Sequence, residues 1–136
     1  LLTPYFNRKL HSLLGVIPVG VFLLFHLTLN YFATRGPDTY NVATAGMEKL
    51  PFKLFIETIV IYLPILFHAI YGIYIVFQAK NNVTNFGYYR NWMFFWQRIT
   101  GVIVFIFISW HVWQTRIQAA LGADVNFDMM ANIVAN

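Results

Sequence analysis

The chain has 136 residues, of which 59% are hydrophobic, 19% aromatic and only 10% charged, with a formal charge of +4. Soluble domains carry about 25% charged residues, so this composition excludes an ordinary water-soluble domain. The charge is modest and spread between the apolar stretches, which argues for membrane topology and headgroup contact and against nucleic-acid binding. The absence of cysteine excludes disulfides, thiolate-ligated metal centres and thioether-linked prosthetic groups within the chain.

No Asp, Glu, Lys or Arg occurs in residues 10–34, 58–79 or 99–115. A bilayer core needs about 20 mostly apolar residues per helix, with a range of roughly 17–25, and each stretch with its flanks meets that length. The fold class is therefore all-α, a transmembrane bundle with three spans in one domain over residues 1–136. Residues 1–12 are basic, with Arg8 and Lys9. The first helix is predicted over 10–32; its Gly15, Pro18 and Gly20 are tolerated because neighbouring helices satisfy loosened backbone. The loop 33–53 opens on Arg35-Gly36-Pro37-Asp38 and has room for a short surface helix before Pro51. The second helix is predicted over 54–77, a polar and aromatic loop over 78–91, the third helix over 92–113, and a polar tail from Arg116 to Asn136. Tyr31, Tyr88, Tyr89, Trp92, Trp110 and Trp113 fall near the predicted boundaries, where amphipathic rings prefer to sit. The stretches LLGVIPVGVFLLF and IVIYLPILF are apolar all round, unlike the amphipathic helices of a soluble core. A signal peptide does not fit, since no small-residue cleavage site follows the first span and two more spans do.

Arg8, Lys9, Lys80, Arg90 and Arg98 share one side with no acidic residue, against Arg35, Lys49, Lys53 and Arg116 on the other. The numbers are close, but the segments on the first side are shorter, which places the N-terminus in the cytoplasm.

His26, His68 and His111 each lie inside a different span. Ionisable groups in a bilayer are costly and by default functional. At about 1.5 Å per residue, His26 lies roughly 8 Å and His111 roughly 12 Å outward from the middle of their helices. His68 lies about 3 Å to the cytoplasmic side of its own midpoint. His26 and His111 therefore share a level and suit a haem held edge-on between the first and third helices. Neutral imidazole is a good iron ligand, and two axial imidazoles leave no open position, favouring electron transfer over oxygen binding. His68 is left to ligate a second, inner haem whose other ligand lies outside the chain. Pro64 and Gly72, each one turn from His68, fit a place where a flat macrocycle approaches the backbone. Against this stands a plainer reading in which the histidines bond Ser, Thr or carbonyl groups of neighbouring helices. A zinc site is disfavoured, because no carboxylate lies at the His26–His111 level. His11 reads as a polar residue at headgroup level; alternatively His11, Ser12, Arg8 and Arg98 meet haem propionates or quinone oxygens. Glu57 is either a helix-N-terminal acid favoured by the dipole or a proton relay to a quinone.

The stretches RKLHSLLGVIPVGVFLLFH, LPILFHAIYGIYIVFQAKNN, YYRNWMFFWQRITG, ISWHVWQTRI and GADVNFDMMANI resemble, in order and over essentially the whole chain, the diheme cytochrome b subunit of Gram-positive succinate:menaquinone oxidoreductases. The resemblance implies a five-helix anchor in the bacterial cytoplasmic membrane that carries two b haems and docks flavoprotein and iron–sulfur subunits on the cytoplasmic side. Electrons then pass from succinate through these partners and the haems to menaquinone. By this resemblance His26 and His111 ligate the outer haem and His68 the inner one, whose fourth histidine belongs to a further helix. The family has two helices more than this sequence, which implies a C-terminally truncated chain and an inner haem whose retention needs a ligand beyond residue 136. Two alternatives stay open: the anchor of a fumarate reductase running the same path in reverse, and a haem-free structural or transport bundle.

Overall fold

The structure is a computed structural model that describes residues 3–136. Every element among them is helical: α1 (Pro4–Arg35), α2 (Pro37–Glu48), α3 (Lys53–Gln78), α4 (Tyr89–Ala120) and α5 (Phe127–Ala135). Three of these, α1, α3 and α4, are long and apolar enough to cross a membrane.

The helices extend beyond the charge-free windows, because those windows mark lipid depth and not helix ends. α1 starts at Pro4, where Thr3 accepts the Phe6 N–H at 3.3 Å and Pro4 occupies the first helical position, a site that loses nothing by lacking an N–H. The helix is interrupted at Ile17. Pro18 offers no N–H to the Leu14 carbonyl and its ring pushes that carbonyl aside; the ladder resumes with Val21 N–H to Ile17 O at 3.0 Å. Gly36, with φ of 103°, ends the last 3₁₀ turn in a conformation that side chains resist.

α3 and α4 each contain one π-helical turn, Thr58–Tyr62 and Trp113–Ile117. The first has a clear cause. Pro64 cannot donate to the Val60 carbonyl, and the turn before it widens so that Leu63 N–H reaches Thr58 O. α1 lies close along α3, whereas α4 approaches its neighbours sparsely. Tyr40, Thr44 and Pro64 are the described residues shielded on all sides, while Leu24, Phe77 and Phe107 are 71%, 84% and 68% exposed. In water such surfaces would drive collapse; in lipid, apolar side chains have no comparable drive to leave the solvent.

The segment expected as a polar tail contains α5. Asn126 caps it by accepting the Met129 N–H at 2.9 Å, Asn41 of α2 accepts the Phe127 N–H at 2.8 Å, and the Phe127 ring meets Tyr40 edge-on at 6.1 Å. Burial there pushes the Tyr40 phenol above its usual pKa. A nine-residue helix is too short to hold itself together, so α5 depends on α2, and only its cap and the spacing of Phe127, Met130 and Ile133 mark it in the sequence. Asn126→Ala removes a side-chain cap that contributes about 1 kcal/mol. Amide hydrogen exchange across α5 is expected to accelerate roughly fivefold, with exchange in α1, α3 and α4 unchanged.

Candidate metal centre

Two pairs of histidines form, one at each level of the bundle. At one level His26, in the second half of α1, and His111, near the end of α4, bring their ring centroids to 5.9 Å with an interplanar angle of 78°. Phe22, one turn before His26, lies 5.3 Å from its ring. Among the described residues neither imidazole is held by a hydrogen bond. The nearby polar side chains bond backbone instead: Asn30 donates to the His26 carbonyl at 2.8 Å and Thr115 to the His111 carbonyl at 2.7 Å.

This geometry can be tested against a bis-imidazole iron. Metal–imidazole bonds are about 2.0–2.1 Å; with each centroid about 1 Å behind its nitrogen, two axial rings stand about 6 Å apart. The observed 5.9 Å is close to that separation. The donor set agrees. Among the described residues no group of three or more His, Cys, Asp or Glu converges, as a tetrahedral zinc site would require. A porphyrin brings its own four nitrogens and takes only one or two axial ligands from the protein.

At the other level His68 joins His11. Their rings stack at 4.1 Å and 4°, and His68 Nδ1 donates to the His11 carbonyl at 2.8 Å. His11 thus packs between α1 and α3, against His68. The space in front of Gly72 is filled as well: a Cβ there would stand 3.0 Å from His11 Nε2. The ring that lies against Gly72 is the His11 imidazole, and Pro64 shapes the π turn.

His11, Ser12 and Arg98 are engaged separately. The Ser12 hydroxyl donates to the Arg8 carbonyl at 3.2 Å, and Arg98 donates to Asn81 Oδ1 at 2.9 Å. Arg98 lines an apolar groove of about 320 Å³ between the C-terminal part of α3 and the N-terminal part of α4, with Val76, Phe95 and Val102.

Glu57 is neither a bare N-terminal acid nor a free carboxylate. Arg116 donates to its Oε2 at 2.9 Å, with Tyr62 beside the guanidinium. Sequence reasoning missed this pair because Arg116 read as the start of a tail. Its position five residues past His111, roughly 7.5 Å further along the same helix, was the available signal.

Three helices long and apolar enough to cross a membrane, with an imidazole pair meeting between two of them, define a multi-pass helical membrane protein. The sequence is 56% identical over 132 residues to the succinate dehydrogenase cytochrome b558 subunit of Bacillus subtilis (strain 168). That match covers 97% of this chain, which spans 65% of the length of the curated relative. No family model and no solved structure matches. The likeness drawn from the histidine-bearing stretches therefore extends across nearly the whole chain.

Proposed function

We propose that this chain belongs to the cytochrome b anchor of a succinate dehydrogenase in a bacterial cytoplasmic membrane, with its N-terminus in the cytoplasm. His26 and His111 are the axial ligands of an outer haem b, and His68 is one ligand of an inner haem b whose other ligand is not among these residues. Electrons arrive from flavoprotein and iron–sulfur partners on the cytoplasmic side and leave to menaquinone; the chemistry of succinate belongs to those partners. Bound haem supplies a one-electron couple inside the bilayer. The residues of the chain hold it: His26 and His111 fill both axial positions and exclude exogenous ligands, while Phe22 walls one side of His26. Arg98 sits at the mouth of an apolar groove, where a guanidinium suits a propionate or a quinone oxygen.

The reading rests on one observation, the 5.9 Å approach of imidazoles from α1 and α4. A reduced-minus-oxidised absorption spectrum of membranes containing the protein tests it. A low-spin b-type α-band is expected. Its absence after haem-replete expression leaves a helix bundle that uses histidine for packing.

A further inference from the structure

We propose that Gly15 and the His11 carbonyl are positioning residues for His68, fixing its ring against α1 in the single tautomer that offers Nε2 to a metal. The inference rests on the haem reading for the identity of the metal site and on the local geometry for everything else.

The first element is space. A Cβ at position 15 would stand 2.4 Å from both Cε1 and Nδ1 of His68 and 3.2 Å from Nε2. Carbon atoms in favourable contact are about 3.5–4.0 Å apart, so any side chain at position 15 displaces the imidazole. The second element is the proton. A carbonyl oxygen only accepts, so the 2.8 Å contact between His68 Nδ1 and His11 O places the ring proton on Nδ1 and leaves the lone pair on Nε2. The two are linked by the helix repeat. The His11 carbonyl is the one an α-helix aims at the N–H of residue 15. A carbonyl has two lone pairs, and the missing side chain at Gly15 exposes the second to the neighbouring helix.

The arrangement is reciprocal. His11 reaches the other way, stacks on His68 at 4.1 Å and 4°, and sits against Gly72, where a Cβ would be 3.0 Å from its Nε2. Each helix thus presents a histidine to a glycine of its partner. Metal-ligating histidines are characteristically oriented by such a bond from the other ring nitrogen, and loss of such a partner costs about 10–100-fold in metal affinity.

Gly15→Ala tests this in membranes carrying the full-length protein, with Gly20→Ala as control, since a Cβ at Gly20 meets nothing within 4 Å. The expected result is that Gly15→Ala weakens haem retention about 10–100-fold only for the spectral component that His68→Ala removes. The component removed by His26→Ala stays at its original midpoint potential, and Gly20→Ala changes neither. Two wild-type midpoints in Gly15→Ala overturn the inference, and so does equal loss of both components, which would mean that Gly15 serves helix packing alone. A second readout needs no haem: ¹⁵N magnetic resonance of histidine-labelled, haem-free protein should find His68 protonated on Nδ1. An Nε2-protonated His68 in the unsubstituted protein overturns the inference. Absence of any b-type spectrum in the unsubstituted protein contradicts the haem reading instead, and the nitrogen shifts then still decide the positioning.

Discussion

His26→Ala and His111→Ala are each expected to abolish the same haem b component, and the double variant is expected to lose nothing more. One imidazole comes from α1 and the other from α4, and α4 has few close backbone neighbours of its own. On the proposed reading a shared iron would join these helices. Removing either ring would leave a bound haem without one of its two protein ligands, between helices where few other contacts fix α4. Groups that act as a unit are strongly non-additive, so the first substitution already takes the whole effect. Low-temperature reduced-minus-oxidised spectra of membranes read the result, with the His68-dependent component as internal standard. Loss of two different components from the two single variants contradicts the pairing.

The next largest effect is expected at the ion pair of the outer level. Glu57→Ala leaves the Arg116 guanidinium without its counter-charge near the end of a membrane span, where a lone cation is costly. The Glu57 side chain is only 16% exposed, and Arg116 Nε is already buried without a partner among the described residues. Leaving a buried polar group unsatisfied costs about 1–3 kcal/mol. The figure belongs at the lower end here, because 34% of the Arg116 side chain remains accessible. The pair joins α3 to α4 at their π turns, so the loss should appear as a lower thermal midpoint of the detergent-solubilised protein. Arg116→Leu with Glu57→Ala should restore part of the stability, since removing both partners spares the uncompensated charge. Equal midpoints for Glu57→Ala and the unsubstituted protein contradict this account.

The sequence discloses the three membrane-crossing helices because the cost of charge in lipid is local: each window without Asp, Glu, Lys or Arg marks its own span. The common level of His26 and His111 is equally legible, since helical rise is fixed and the two helices run in the same sense. Rotation about a helix axis is not legible that way. Counting the first helix from residue 10 puts His11 in its first turn, whereas α1 begins at Pro4 and its rotation lays the His11 ring on His68. The π turns, the Glu57–Arg116 pair and α5 follow from how segments meet in space. For α5 that means Asn41 and Tyr40, more than 80 residues away in the chain.

The most direct test of the shared iron is carbon monoxide binding to the dithionite-reduced protein in a His68→Ala background, where the outer site alone contributes. Two axial imidazoles leave no position for an exogenous ligand, so the spectrum is expected to stay unchanged under carbon monoxide. A carbon monoxide complex formed with His26 and His111 both in place would show an iron with an open face, and His26 and His111 would not be ligands of one haem.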